Sequence, residues 1–531
     1  MFKGNPYKIK NIPNLAMGLN DQLEPGEILD NEMADCENYS VDEASIRTAP
    51  GYVGYQSVVQ TSKHWGIFHA RFSNGTQRLI RQTGTKLQYD DGTGTWTDCT
   101  LPTAGSPSEA ISLPENQPTF VMLNDKILYS DGATYTLSST DGITWTIPTT
   151  GSPAEELPKG ILVNSGKNRI YFIELSSSKI WFSEINDPLT VLADSWEYID
   201  PNNGQNNRGA IVAPSGALLL FKEKSFYELD DVSTGMVGVN PLGQVKLASH
   251  HTLAATENSV MLMAVDGIYE YAGTMQKISG RIKSTGRNNV QNWNLATAAY
   301  ANGEYRVSIP DADVSQNYNA QEYVVHKHIY RTDPEQPYVI TRNRRYFGCY
   351  GVEYKTTSSL RRVRLYAGFS TTFSEGSPAE TNCNFVYINI YKDSTITQGL
   401  NGAAQSGYFT TKYFTENIPY FVKKFKKFFY ELSITQDTTI TLSCRFSPNA
   451  QWTDISVDAE TGDIEWTFSD GTTGGFDEEY GWASESIGRD FVDIENAEKP
   501  RGIQFKITTS SINDIIFYGF AFSFRSKLKF K

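Results

Sequence analysis

The residues of this 531-residue chain best suited to hold a metal or act as nucleophiles are six histidines and five cysteines. His326 and His328 stand two apart on an expected strand, so their rings share a face and could meet one ion. No third ligand follows nearby, and a solvated pair is the expectation. Cys36, Cys99, Cys349, Cys383 and Cys444 are odd in number and lack CxxC spacing, which reads as free thiols in a reducing compartment. Sugar hydrolysis requires two carboxylates across about 5 to 9 Å. The acids here, Asp311, Asp313, Glu478 and Glu479 among them, show no spacing that singles out a pair. A Walker loop, a GxSxG elbow and an HExxH helix are absent from the sequence. These residue types point to no enzyme, no cofactor and no metal, and to a protein that works through its surfaces.

Charge narrows which surfaces. Lys and Arg total 47 against 60 Asp and Glu, a net charge of −13, so the surface as a whole is not a nucleic-acid-binding face. One basic run with interleaved aromatics, Lys423-Lys424-Phe425-Lys426-Lys427-Phe428-Phe429, stands out, and FRSKLKFK closes the chain. On a strand, Lys424 and Lys426 face one way and Phe425 and Lys427 the other, which suits contact with an acidic neighbouring subunit better than DNA readout. The first residues, MFKGNPYKIKNIPN, contain no apolar signal region, and nowhere do eighteen apolar residues run together. Synthesis and assembly in the cytoplasm, without stable membrane insertion, are expected.

The elements that would build such a surface are strands. Aromatic residues make up 13% of the chain, and 42 glycines join many Thr, Ser, Asn and Asp residues, a balance that favours all-β architecture. From Lys63 to Tyr350, short strands fall into six groups of roughly 48 residues, the period of four-stranded propeller blades. Turn dipeptides Asn124-Asp125, Asp131-Gly132 and Asp141-Gly142 mark hairpins. Ser138 to Trp145, SSTDGITW, looks like a degenerate Asp-box, a structural hairpin of sialidase-type propellers, and DDGTGTW at 90–96 is a looser echo. A large β-sandwich would show similar hairpins and is the competing fold. Beyond Tyr350 longer alternating strands predict a one-sided antiparallel sheet. The organisation expected is therefore an irregular docking arm over residues 1–60, a β-propeller of about six blades over 61–355, and an antiparallel β-sandwich-like domain over 356–531 that strands of the first could complete. Only Asp30 to Glu43 and the stretch from Lys283 to Thr297 could form more than two helical turns.

The arm carries a glycine turn at Met17-Gly18-Leu19-Asn20, an acidic middle, Asn38 before a short apolar run, and an exit through Arg47, Pro50 and Gly51. Together with KIWFSEINDP (179–188), LLLFKEKSFYEL (218–229), VDGIYEYAG (265–273) and FVKKFKKFFYEL (421–432), it resembles the β-propeller tail nozzle or hub proteins of short-tailed bacteriophages. The resemblance spans most of the chain in short, degenerate pieces. It implies a structural virion protein of the tail, a homohexamer below the portal and its adaptor, the head-to-tail connector protein, with a tail fibre, spike or needle as a further partner. Viral DNA would leave through its lumen without sequence-specific binding, and a lumen of the chain's own negative sign would keep DNA from adhering within about 8 to 10 Å. Leu15, Gly18, Leu19, Asn38, Arg47, Pro50 and Gly51 are the candidate assembly and docking residues. The rivals are a receptor- or glycan-binding tail protein and, more distantly, a propeller glycosidase.

Overall fold

The computed structural model describes residues 7–12, 16–42, 44–55, 62–104, 109–150, 155–165, 167–232, 235–237, 242–283, 292–310, 318–356, 361–370, 385–388, 390, 405–416, 422–434, 439–456, 466–467, 473–474, 486–494, 500–511 and 515–527. Its elements are strands with three single 3-10 turns. Local chemistry explains many of the hairpins. Asn124 and Asp125, both at positive φ (50° and 59°), form the two-residue turn between Thr119–Leu123 and Lys126–Ser130, the turn whose twist matches that of the flanking strands. At the Asp-box-like turn, the Asp141 carboxylate accepts the amides of Ile143 and Thr144, both at 2.8 Å, while Gly142 takes φ 74°. Trp145 packs beneath it, 1% exposed, in the core shared by the first and second blades. Asp90 and Asp131 accept backbone amides in the same way at 2.7 Å from Gly92 and 2.8 Å from Ala133.

The sheets from residue 64 to 388 form a closed β-propeller of seven blades. Six follow in chain order, covering residues 64–98, 119–139, 161–198, 207–244, 254–277 and 297–344. The innermost strands, His64–Arg71, Thr119–Leu123, Ile161–Asn164, Asn207–Val212, Ala254–Ala255, Thr297–Ala301 and Phe347–Thr356, each touch the next, and the last returns to the first. The seventh blade comprises Phe347–Thr356, Arg361–Phe369 and Phe385–Ile388 and takes its outer strand, Tyr52–Gly54, from the arm. The expected count of about six missed this blade for two physical reasons. Its third strand follows a long polar insertion, and its fourth strand lies about three hundred residues upstream. The boundary expected at 355 falls inside the strand Phe347–Thr356.

The remaining strands form a two-sheet sandwich. One sheet runs in the order Tyr39–Val41, Ile46–Thr48, Ile515–Lys527, Val422–Ile434, Ser486–Asp493, with Lys8–Ile12 also on Ile515–Lys527. The other runs Asp35–Glu37, Gln405–Thr410, Gln504–Ser511, Thr439–Arg445, Thr453–Ser456. Phenylalanines meet between them: Phe428 lies 4.5 Å from Phe505 and Phe409 lies 5.4 Å from Phe517, centroid to centroid. A register shift against Ile515–Lys527 lets Phe425 and Phe428, three apart, both reach this core. Lys424 and Lys426 are left exposed on the outer face. Strands of the arm thus complete the sandwich, and of the candidate helix Asp30 to Glu43, whose last residue lies outside the described residues, Asp35–Glu37 and Tyr39–Val41 form short strands. Of the other candidate helix, residues 284–291 lie outside the described residues, and Trp293–Leu295 is a 3-10 turn. The sandwich core continues without a break into the fifth and sixth blades through Met263, Tyr305, Val325 and Val339.

Ring closure depends on a close approach between the seventh blade and the first. A Cβ on Gly351 would lie 2.3 Å from Ile67 Cγ2 and 2.9 Å from Ile67 Cβ, atoms of a β-branched side chain with little room to turn. Gly351→Ala is expected to lower unfolding stability by about 1–3 kcal/mol in urea titration. An unchanged midpoint would mean that the two blades do not pack there.

Candidate functional site: the arm seam and the propeller axis

The arm lies in a seam between the strand Tyr338–Arg344 of the sixth blade and the sandwich. Gly18 opens it at φ 77°, and a Cβ there would meet Val339 Cγ1 at 2.6 Å and the Ile340 carbonyl oxygen at 2.8 Å, so this turn requires glycine. The next residue, Leu19, is fully buried and donates its amide to Ile340 O at 2.9 Å. Asn38, at φ 59°, stands between two arm strands that join different sheets. Its amide donates to Arg342 O (3.0 Å), its Nδ2 to Ser406 O (2.8 Å), and its Oδ1 accepts the Arg344 amide (2.9 Å). One asparagine therefore ties together arm, propeller and sandwich. Arg47 pairs with Asp42 at 3.4 Å and sits in the sheet beside Ile516. Pro50 and Gly51 are buried, and Pro50 O accepts from Arg345 Nη2 at 3.2 Å. Leu15 lies outside the described residues.

Charge holds this seam as well. Arg331 Nη2 donates to Glu32 Oε1, and the other oxygen of Glu32 accepts from Asn20 Nδ2 and the Leu29 amide, each at 2.8 Å. Both side chains of the pair are almost fully buried, at 1% and 2% exposure. Arg342 reaches Asp35 at 2.6 Å, and Tyr408 of the sandwich donates to the same carboxylate at 3.0 Å. Glu32, Asp35, Arg331, Arg342 and Arg345 were not singled out in sequence. Their signal was an acidic arm and a basic TRNRR run at 341–345, whose complementarity is hidden by three hundred intervening residues.

A polar cavity of about 230 Å³ opens along the propeller axis, among the inner strands, with Trp65, Gln117, Phe120, His250, His251 and Tyr350 in its wall. His251 Nε2 lies 3.1 Å from Gln117 O, and because a carbonyl can only accept, this nitrogen carries the proton. The Gln117 side chain is anchored through Nε2 to Leu295 O (2.9 Å) and Gly348 O (2.8 Å). The two imidazoles meet edge to face at 5.2 Å. Burial pushes the pKa of His251 down to about 4, and burial together with the neighbouring His251 holds His250 well below its usual value. Both rings are therefore neutral at pH 7. No carboxylate is among the described residues of this wall, so the two-carboxylate arrangement of a glycosidase is not assembled there.

Other titratable groups are engaged in structure. Between the sixth and seventh blades Arg306 bridges Glu304 (2.6 Å) and Glu322 (3.2 Å), and Glu322 also accepts from Asn343 and Tyr350. His326 and His328 do share a side of their strand, with rings 5.9 Å apart. The expectation of a solvated pair is corrected at His326, which is fully buried, 3.0 Å from Thr341 Oγ1 and 3.3 Å from Glu304. Among the described residues no three His, Cys, Asp or Glu side chains are grouped as a metal site. The four described cysteines are free, and burial pushes Cys36 and Cys349 up to about 12. Asp311, Asp313, Glu478 and Glu479 lie outside the described residues.

No family model matches this chain, and no curated protein matches it. Solved structures similar to it include virginiamycin B lyase from Staphylococcus aureus, at 10% identity over 62% of this chain and 96% of that one, with a TM-score of 0.37. The WD40 domain of Neurospora crassa Pan2 is 9% identical over 66% of this chain and 96% of that one, TM-score 0.37. Puromycin hydrolase is 10% identical over 71% and 64%, TM-score 0.33. Similarity at this level assigns no activity, ligand or partner to this chain.

Two measurements follow from the seam and the axis. Glu32→Ala is expected to cost about 3–5 kcal/mol by leaving Arg331 buried without a counter-charge. In a urea double-mutant cycle, adding Arg331→Met should cost much less than it does alone. Additive losses would show that the two groups do not interact. For His251, the folded pKa lies below the unfolded value of about 6.5, so its contribution is present above that pH and is lost as pH falls through 6.5 toward 4. Between pH 7 and pH 5 the native chain should lose about 1–2 kcal/mol more than His251→Gln. Equal losses would mean that His251 is accessible to protons in the folded state.

Proposed function

We propose that this chain is a structural virion protein, the nozzle or hub of a short-tailed bacteriophage tail, present as a homohexamer below the portal and adaptor. It would form a conduit for DNA ejection. Support comes first from the resemblance carried by the arm and the blade segments. The observation that carries the reading furthest is how the arm is used. Within residues 8–54, its strands enter both sheets of the sandwich and the last blade of the propeller, and a buried ion pair fixes it to the sixth blade. Such ties between arm, propeller and sandwich suit a subunit that serves as a wall under internal pressure. The partners implied are the adaptor above, a fibre, spike or needle, and DNA held by no sequence-specific contact. Among the described residues, no helix is long and apolar enough to cross a membrane.

A second reading, a receptor- or glycan-binding tail protein, is favoured by Trp196 and Tyr198, which are 37% and 48% exposed on the third blade with rings 5.1 Å apart. Immunogold labelling of particles from crude lysate separates both from a soluble protein. Gold is expected at the short tail or its junction with the head. Bare particles beside labelled soluble material would overturn the virion assignment.

A further inference from the structure

Two unlike surfaces of this chain complement each other. Five of the ten large hydrophobic side chains exposed among the described residues belong to the third blade, Leu175, Ile185, Leu192, Trp196 and Tyr198, and the last two, on its outer strand, have rings 5.1 Å apart. Exposed apolar side chains concentrated on one blade mark an interaction surface. Exposed Glu184 and Asp194 stand beside it, brought together where the Phe182 amide donates to Ser195 O at 3.0 Å. Neither acid is in an ion pair among the described residues. On the same blade Lys179 is engaged with rings, its ammonium 3.6 Å from the centroid of Trp181 and 4.3 Å from that of Trp196, and Arg169 lies over Phe182 at 5.2 Å.

The outer face of the sandwich is the counterpart. Lys424 is paired in register with Arg525, and Lys426 lies two residues on, with the same outward direction. Lys426 and Arg525 flank the Tyr7 ring at 5.7 Å and 5.2 Å. Ile9, 68% exposed, lies on the same face, opposite Ser523. Lys424, Lys426 and Arg525 have no carboxylate partner among the described residues. A basic patch with an apolar tip is thus present in a chain of net charge −13.

We infer that the basic outer face of the sandwich (Ile9, Lys424, Lys426, Arg525) docks on the acidic, apolar edge of the third blade (Glu184, Asp194, Trp196, Tyr198) of a second copy of this chain. The contact joins unlike patches, so it is head to tail, and such contacts close into rings or run on as filaments. The inference rests on the homo-oligomer reading above and names the surfaces that would meet.

Charge reversal on the purified full chain tests it. Sedimentation velocity of the wild type at low salt should show assembly beyond the monomer, weakening about tenfold as salt is raised to several hundred millimolar. Lys424→Glu/Lys426→Glu and Glu184→Lys/Asp194→Lys should each be monomeric, with wild-type unfolding midpoints because all four positions are exposed. Mixed in equal amounts, the two variants should assemble again, since native meets native and reversed meets reversed around an alternating ring. A wild type that remains monomeric at its highest soluble concentration overturns the inference. So do variants that assemble normally, a mixture that does not recover, or binding of a soluble oligosaccharide that is lost in Trp196→Ala while both charge variants still assemble. Assembly by these surfaces with no gold on particles would leave the interface standing and remove the virion reading. Gold at the tail with indifferent variants would do the reverse.

Discussion

A circle of sheets has to be closed, and every other feature of this molecule is arranged around how that is done. Each blade buries its faces only against its neighbours, so a gap between the last and the first would expose two apolar faces at once. Here the last blade contributes three strands, and the fourth, Tyr52–Gly54, arrives from the other end of the chain. Tyr52 anchors it, packed edge to face against Phe347 at 5.9 Å and Phe369 at 5.8 Å. The segment that brings this strand into place must cross the sixth blade, and in crossing it becomes the edge of both sandwich sheets. Closure of the ring and completion of the second domain are therefore one event.

Buried charge does a different job from buried hydrocarbon in this design. Burying Glu304, Arg306 and Glu322 between blades costs desolvation that largely offsets their attraction, so the network adds little net stability. Its effect is on alternatives. A slip of one residue in any of these strands would turn a carboxylate or guanidinium toward an apolar neighbour with no partner. The same holds where Lys327 donates at 2.7 Å to each of Thr256, Asn258 and Ser259 between the fifth and sixth blades. Blades so unlike one another in sequence are kept in order by polar contacts that only the correct neighbour can satisfy.

What could be read from the sequence followed the range of the interactions. Hairpins such as Asn124-Asp125 and turns such as Ser138 to Trp145 are decided within a few residues, and the propeller and its first six blades were legible from them. The split faces of Lys424, Phe425 and Lys426 were legible too, because alternation along a strand is local. The seventh blade and the edges of the sandwich were not, since their strands are brought together from opposite ends of the chain. Of the candidate seam residues, Gly18 and Asn38 had a local signal in their turn chemistry. Glu32 and Arg331 had none, because a buried pair separated by 299 positions leaves no periodic trace. The axial histidines were counted but could not be placed, because their environment is made by inner strands of different blades.

The arm's position in the chain has a consequence for the order of folding. Residues 8–54 are made several hundred residues before the strands they join: Tyr52–Gly54 pairs with 386–388, Asp35–Glu37 with 408–410 and Lys8–Ile12 with 520–524. The first blades can form from neighbouring hairpins as they emerge, while the arm waits for partners made later. Contacts this distant in sequence are slow to form. The nascent chain therefore carries an open ring until Phe385–Ile388 is made, and Ile515–Lys527 follows later still to take up Lys8–Ile12 at the sandwich.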